Sequence, residues 1–299
     1  MNNIKSVFSI KDLENLSGIK AHTIRIWEKR YNVLEPMRTD TNIRVYDISN
    51  LQKLLNITLL HNYGYKISKI SKHDTKRISE MVKEIVNEKS SKTQAISAFK
   101  MAMMNFDQTL FTTTYNELLA EKSLQDVFFE VFIPLMEEIG LLWQSETITP
   151  AHEHFISHLI RQKILVNTEL LQNFKPIHTD KVFVLFLPMN EIHELGLIYL
   201  NYELINNGYN TIYLGESVPS DNLKDMLKYF DNIIFATYVT VEPTHEKINE
   251  YIDSFKEEII SVSNSQLWIG GRMSNFIEEN KLNSKIKTFR TIDELLSKI

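Results

Sequence analysis

The sequence has no cysteine among its 299 residues, and only eight glycines and seven prolines. Without thiols the chain cannot form disulfides, iron–sulfur clusters or thiolate zinc sites. No apolar run reaches the roughly 20 residues that a membrane span needs, and the opening residues lack the apolar core of a signal peptide. We therefore expect a cytoplasmic protein with no membrane partner.

Charge is distributed unevenly along the chain. Residues 1–75 hold 12 Lys and Arg against 7 Asp and Glu, a net charge of +5, whereas the remainder holds 21 against 31, a net charge of −10. A basic head on an acidic body is typical of a phosphate-binding module joined to a part that stays off nucleic acid.

Periodicity divides the chain into three domains, which we predict at residues 1–74, 75–175 and 180–299. In the first, two short helical patterns flank a turn at Gly18, and an extended stretch from Met37 to Tyr46 follows. This order predicts an all-α winged helix-turn-helix. The second has apolar residues at helical spacing throughout and a single glycine, which predicts a four-helix bundle.

The third domain changes to short β-rich runs separated by helical patterns. Such alternation predicts an α/β Rossmann-like fold, a parallel sheet covered by helices on both faces. Ligands of these folds bind at the carboxyl ends of the strands. The five predicted strands are Val182–Leu187, Thr211–Leu214, Ile233–Ala236, Leu267–Ile269 and Lys287–Phe289.

Polar side chains on the second helix and on the extended stretch are candidates for DNA contact. On a 3.6-residue period His22, Arg25 and Lys29 share one face, which suits a recognition helix. Basic residues on the extended stretch suit a wing that grips phosphate. The predicted DNA-binding residues are His22, Thr23, Arg25, Lys29, Arg30, Arg38, Arg44 and Tyr46.

The same region resembles the MerR family of winged-helix regulators. The resemblance is carried by Thr-Ile-Arg-Ile-Trp-Glu-Lys-Arg-Tyr at residues 23–31, Pro36, Arg38-Thr39 and Arg44-Val45-Tyr46. It implies binding to a double-stranded DNA operator by a homo-oligomer, a dimer or a tetramer. One departure is Thr41-Asn42-Ile43 at the wing turn, where relatives often have Gly-Gly-His.

A histidine follows the first strand of the third domain. His193 can present an imidazole nitrogen to a ligand, Glu191 can bond its other nitrogen, and Gly196 allows close backbone approach. Glu-x-His-x-x-Gly is similar to the cobalamin-binding signature Asp-x-His-x-x-Gly, which implies that His193 is the lower axial ligand of cobalt. By the same resemblance, Thr237 and the pair Gly270-Gly271 accommodate the nucleotide tail of the corrinoid.

The helical domain carries a second partial signature. Trp143 is followed after nine residues by Glu153-His154, which resembles the Trp…Glu-His pattern of the cobalamin-binding cap in regulators of the CarH and LitR type. The resemblance implies that Trp143 covers the upper face of the corrin and that Glu153 and His154 contact an adenosyl group. Adenosylcobalamin or methylcobalamin is thus the expected cofactor. Gln144 replaces the histidine that captures cobalt in some photoreceptors, so a bis-histidine photoproduct is not expected.

We predict a transcriptional regulator, not an enzyme, in which cobalamin binding changes oligomerisation and operator occupancy. Three alternatives stay open. The chain could keep this fold without depending on cobalamin, or it could be a corrinoid carrier, although a carrier has no use for a basic head. The third alternative is a metal site formed by His152, His154 and His158, which lacks an HExxH order.

Overall fold

The computed structural model describes residues 7–84, 88–145 and 147–298. It divides into two compact units, Met1–Ile160 and Arg161–Ile299. Among the described residues, no helix combines the length and the apolar character that crossing a bilayer requires.

The N-terminal head is a winged helix-turn-helix with a small antiparallel sheet. Its core holds Phe8, Leu13, Ile24, Tyr46 and Leu54, all fully buried. Its strands run in the order β1-β3-β2. The elements are β1 (Val7–Phe8), α1 (Ile10–Ser17), α2 (Ala21–Tyr31), β2 (Met37–Arg38), β3 (Arg44–Asp47), α3 (Ile48–Asn62) and α4 (Ile67–Ile70).

Local chemistry sets both ends of α1. Ser9 and Asp12 cap α1 reciprocally, each side chain accepting the other's backbone N–H. Gly18 ends α1 with a left-handed φ of 75°, a conformation that costs glycine little. The apolar pattern from Phe8 to Leu16 predicts a helix that begins at Phe8, whereas α1 begins two residues later. Phe8 lies in a strand instead, because pairing with Tyr46 buries its side chain in the sheet.

The helical region confirms the predicted bundle. Phe99, Phe111 and Phe132 meet at its centre, with ring centroids 4.9 to 6.3 Å apart. A π-helical turn, Phe128–Phe132, comes just before Pro134, whose ring and missing N–H disfavour regular α-helical pairing there. The elements are α5 (Thr75–Glu84), α6 (Glu88–Asn105), α7 (Gln108–Leu119), α8 (Leu124–Val127), α9 (Ile133–Gln144) and α10 (Pro150–Leu171).

The C-terminal region is the predicted five-stranded parallel sheet, in the order β5-β4-β6-β7-β8. Val184, Phe235 and Ile269 pack on one face against Ile252 and Phe255 of α13. Residues that alternate with them face the opposite side, where α11 contacts β4 and β6. The elements are β4 (His178–Phe186), α11 (Leu195–Asn206), β5 (Tyr209–Gly215), α12 (Ser220–Met226), β6 (Ile233–Tyr238), α13 (Ile248–Phe255), β7 (Gln266–Gly270), β8 (Ile286–Thr288) and α14 (Ile292–Ser297).

Candidate functional site

The predicted recognition helix exposes a basic face. His22, Arg25, Lys29 and Arg30 are exposed on α2, while Ile24 and Trp27 anchor its opposite side in the core of the head. Thr23 is half-buried between the two faces. The spacing of the exposed residues therefore places several donors along one helix surface, as groove reading requires.

The wing is a two-stranded hairpin in which Arg38 and Arg44 are cross-strand partners. Both side chains are exposed. Asn42 takes a left-handed φ of 64° at the turn, which asparagine tolerates better than most residues. Its side-chain oxygen accepts a hydrogen bond from Arg38 Nη1 at 2.7 Å. The wing thus closes without the glycines that are common in relatives.

Tyr46 does not lie on the wing surface with the two arginines. Its side chain is fully buried, and its hydroxyl donates to Glu28 Oε2 at 2.7 Å. Burial and the Glu28 carboxylate raise the pKa of that hydroxyl, which keeps it protonated as a donor. The structure corrects the predicted grip on phosphate, because a fully buried side chain offers no surface to DNA.

Glu28 is a residue that the sequence analysis did not single out as functional. One carboxylate oxygen accepts from Tyr46, and the other accepts from Arg44 Nε at 2.9 Å. Glu28 lies on α2 and its partners lie on β3, so this pair of bonds fixes the wing relative to the recognition helix. The Trp-Glu-x-Arg-Tyr run contained the signal, since it places an acid on an otherwise basic helix.

In the helical region Trp143 is unusually accessible for an indole, with 56% of its surface exposed at the end of α9. Gln144 beside it is exposed as well. Glu153, at the start of α10, accepts from Ser157 Oγ at 2.7 Å and pairs with His154 Nδ1 at 3.0 Å. A large exposed aromatic side chain, which costs free energy in water, suits a surface that another group covers.

The three-histidine metal alternative finds no support in the described residues. His152 is buried, stacks on Phe106 at 4.8 Å and bonds Thr149 Oγ1 through Nδ1, whereas His154 and His158 are exposed. No three His, Asp or Glu side chains come together as a metal site within the part of the chain that the structure describes.

In the α/β region Glu191 and His193 form a close pair in the loop after β4, as predicted. Glu191 Oε1 lies 2.6 Å from His193 Nδ1, and the carboxylate itself is inaccessible to solvent. Because Nδ1 faces a carboxylate, it carries the proton, and Nε2 is the nitrogen whose lone pair is available to a metal. About half of the His193 side chain is exposed.

The Glu191 carboxylate also accepts five backbone N–H groups. Two come from Ile192 and His193 on its own loop. Three more come from Thr240, Val241 and Glu242 on the loop after β6, at 2.6 to 3.0 Å. Burial would raise the pKa of Glu191, but these bonds outweigh it and lower the pKa from 4.5 to about 2.

Glu194, the residue after His193 in the chain, is held by side chains of two other elements. Its carboxylate accepts from Arg161 Nη2 at 2.8 Å and from Tyr213 Oη at 2.9 Å. The sequence analysis missed this network because Arg161 and Tyr213 belong to distant elements, α10 and β5. Its consequence is that both carboxylates flanking His193 are held from more than one element.

The remaining predicted residues lie at the carboxyl ends of the central strands. Thr237, at the end of β6, is fully buried and its hydroxyl has no hydrogen-bond partner among the described residues. Gly271 has a left-handed φ of 90°, and a Cβ there would lie 2.4 Å from the Val239 carbonyl oxygen. Only glycine fits that close approach.

Two aromatic rings pack against the other two predicted glycines. A Cβ at Gly196 would lie 2.5 Å from the Tyr238 ring, and a Cβ at Gly270 would lie 2.3 Å from the Phe289 ring. The two rings contact each other, with centroids 6.3 Å apart. The room that these glycines leave therefore holds the chain's own aromatic side chains.

Comparison with known proteins gives two family matches. Residues 8–75 match the MerR HTH family regulatory proteins, and residues 95–166 match the B12 binding domain. These ranges cover the winged head and the core of the helical bundle.

Similar proteins agree with this domain content. The chain is 28% identical to the HTH-type transcriptional repressor CarH of Myxococcus xanthus, over 72% of this chain and 73% of that protein. It is 23% identical to CarA of the same organism, over 72% of this chain and 70% of that protein. The monomethylamine corrinoid protein of Methanosarcina barkeri shares the fold with a TM-score of 0.52, at 14% identity, over 69% of this chain and 97% of that one.

The basic recognition helix with its wing and the core of the bundle thus lie within the two matched ranges, and the Glu191–His193 loop lies beyond them. The chain therefore combines a MerR-type HTH region with a B12 binding domain, and it is similar to the HTH-type transcriptional repressors CarH and CarA.

Proposed function

We propose that the protein is a corrinoid sensor in which cobalamin occupancy sets how many heads engage an operator together. DNA binding is assigned to residues 1–74, the cap to residues 75–175 and the corrinoid-binding sheet to residues 180–299. The observation that carries the proposal is the Glu191–His193 pair, which leaves one imidazole nitrogen accessible.

The residues of the sheet fit a corrinoid with a nitrogen ligand below cobalt. His193 would supply Nε2, and the buried Glu191 would keep the proton on Nδ1 and raise the basicity of the opposite nitrogen. The buried Thr237 hydroxyl, without a partner in the described residues, suits a hydrogen bond to a ligand's polar group. Bound cobalamin would supply a cobalt ion that can accept a nitrogen ligand.

Tyr238 and Phe289 bear on which corrinoids enter most easily. Their rings fill the room next to Gly196 and Gly270, and the resemblance places the nucleotide tail at Thr237, Gly270 and Gly271. A tail would take that room only after the rings move. A corrinoid without a nucleotide tail would meet no such obstacle and would bind faster, whereas a cobalamin would bind once the two rings have moved.

The helical domain has residues of its own that suit a corrinoid. The exposed Trp143 indole is a flat apolar surface that suits the face of a macrocycle. Glu153 can accept from a hydroxyl of an upper adenosyl ligand, with His154 beside it. We propose adenosylcobalamin or methylcobalamin as the natural form.

Operator occupancy would follow from association of the chain with itself. A single head offers a small interface, whereas two linked heads raise each other's effective concentration on a two-part site. A ligand that favours one assembly therefore changes occupancy without touching DNA. Such a regulator acts where the DNA is, which we take to be the cytoplasm.

The direct test is corrinoid retention. Pure protein is mixed in the dark with adenosylcobalamin, methylcobalamin or hydroxocobalamin, desalted and examined by absorption spectroscopy. We expect retained corrinoid and, in His193→Ala, loss of the spectral change that marks histidine ligation. His245→Ala, at an exposed histidine of the same region, is the matched control. Folded protein that retains none of the three corrinoids would contradict the proposal.

A further inference from the structure

Helix α1 of the head is tied to the helical bundle through its last turn. Asn15 Nδ2 donates to Thr147 Oγ1 at 2.8 Å, across 132 positions of sequence. Next to it, Lys100 Nζ on α6 donates to the Leu16 carbonyl oxygen at 3.4 Å. Carbonyls at the end of a helix lack intrahelical partners and carry partial negative charge, so the ammonium is well placed.

Lys100 connects α1 to a third element. Its ammonium is also paired with the carboxylate of Glu138 on α9, while only 11% of the Lys100 side chain is exposed. A lysine this deeply buried needs such partners, because an unpaired charge there would be costly. The head is thus joined through one side chain to the helix that ends with Trp143 and Gln144.

Thr147 is itself held in place by residues at the end of α9. It is fully buried, its backbone N–H donates to the Leu142 carbonyl at 2.9 Å, and its hydroxyl lies 3.0 Å from Ser145 Oγ. The segment after α9 therefore moves with the last turn of α9. Trp143 lies between the two attachment points, Glu138 and Thr147.

The rest of this contact is not densely packed. A cavity of about 400 Å³ lies between the head and α6, with Leu16, Thr58 and Lys100 in its lining. The Thr58 hydroxyl is buried without a hydrogen-bond partner among the described residues. Where this cavity interrupts the apolar packing, the polar links contribute more to the position of the head relative to α6.

We infer that Asn15, Lys100, Glu138 and Thr147 form a latch that positions the DNA-binding head according to what contacts Trp143. The inference rests on the proposed function for its ligand, but the latch itself is a property of the free protein. A helix moves as a rigid element, so a shift of α9 at Trp143 is carried to Glu138 and Thr147 and from there to α1. Asn15 and Lys100 are positioning residues, which touch neither DNA nor corrinoid.

Because the sequence has no cysteine, two introduced cysteines are the only sites at which a thiol-directed spin label attaches. Thr41→Cys at the wing turn and Glu121→Cys after α7 are both exposed. Pulsed electron paramagnetic resonance then measures the distance distribution between head and bundle in the full chain. The labelled protein is compared with versions that also carry Thr147→Val, Asn15→Ala or Lys100→Met.

In corrinoid-free protein we expect a narrow distance distribution for the parent. Each of the three variants, Thr147→Val, Asn15→Ala and Lys100→Met, should broaden it. Asn62→Ala is the matched control, since Asn62 is exposed at the same cavity and makes no latch contact. Circular dichroism verifies that each variant is folded, and three independent substitutions protect the test against one that is not. Distributions as narrow as in the parent would overturn the latch.

A second arm adds hydroxocobalamin and repeats the measurement. We expect corrinoid to shift the distance in the parent and not in Thr147→Val, while desalted samples of both retain the same absorbance. Retained corrinoid with no shift in the parent would overturn the transmission step. Failure to retain corrinoid would instead contradict the proposed function, and the corrinoid-free arm would still decide the latch.

Discussion

Glu191 and His193 are joined by a 2.6 Å contact between Oε1 and Nδ1, and the same carboxylate holds the loop after β6 through three backbone N–H groups. One buried side chain thus orients the imidazole and fixes two loops at the carboxyl edge of the sheet. The glutamate side chain suits this arrangement, because both of its carboxylate oxygens accept hydrogen bonds.

Glu191 makes stability depend on pH. Its pKa falls from 4.5 to about 2 on folding, so the stabilisation is fully present above pH 4.5 and is lost as the pH falls through about 2. The difference corresponds to about 3 kcal/mol at neutral pH. We expect Glu191→Gln to lower the free energy of unfolding by about that amount at pH 7, measured by denaturant unfolding.

The difference in the free energy of unfolding between the parent and Glu191→Gln should narrow below pH 4.5, since a protonated glutamate resembles glutamine. Asp231→Asn, at an exposed carboxylate near the start of β6, should leave stability at pH 7 unchanged within about 0.5 kcal/mol. A gap that stays constant down to pH 2 would show that the charge of Glu191 is not the stabilising feature.

Tyr238→Ala should speed binding of tail-bearing corrinoids. Removing the ring clears the room beside Gly196 without touching the Glu191–His193 pair. Stopped-flow absorption with cobalamin and with cobinamide, which has no nucleotide tail, measures the effect. We expect the parent to bind cobinamide faster and the variant to bind both at similar rates; a rate ratio unchanged by the substitution would assign the ring a packing role only.

Arg25 and Arg38 should differ in what their loss does to DNA binding. Arg25→Ala removes an exposed donor from the recognition helix, so it should weaken operator binding by about 1–3 kcal/mol and leave non-specific binding almost unchanged. Arg38→Ala, on the wing, should weaken binding to all sequences and reduce the salt slope by about one. Fluorescence anisotropy over a salt series measures both.

Lys228→Ala provides the matched control for that series, because Lys228 is an exposed basic residue outside the head. It removes the same unit of charge and should change neither affinity nor slope. Identical effects of Arg25→Ala and Arg38→Ala would contradict the separate roles of helix and wing.

Tyr46→Phe tests the corrected role of Tyr46. It removes the donor to Glu28 and should cost about 1–2 kcal/mol of stability, because a carboxylate oxygen is left unpaired. DNA affinity should fall only a few-fold, through loosening of the wing. Tyr229→Phe, at an exposed tyrosine, is the control. Weaker DNA binding with unchanged thermal stability would instead indicate that Tyr46 contacts phosphate, as first predicted.

Sequence patterns predicted much of this architecture because they follow from local rules. All five strands of the parallel sheet lie where continuous apolar runs indicated them, and α1 follows its capping and glycine signals. The strand at Val7–Phe8 was missed because two residues carry no period, and only pairing with β3 makes them a strand.

The sequence indicated which residues are candidates for the site, but only part of what each of them contacts. Spacing alone suggested that Glu191 faces His193, since the two residues are two positions apart on one loop. Spacing could not indicate that Tyr46 is buried against Glu28, because an alternating wing strand can turn either face inward.

The sequence by itself determined the three kinds of domain, the basic helix and the histidine loop, since each follows from residues close together in the chain. Only the tertiary structure decided which partners these residues take. The Glu191 contacts with the loop after β6, the rings of Tyr238 and Phe289 beside the glycines, and the Asn15–Thr147 bond all join distant positions. Such contacts depend on how the elements pack, which the periodicity of a local stretch of sequence does not indicate.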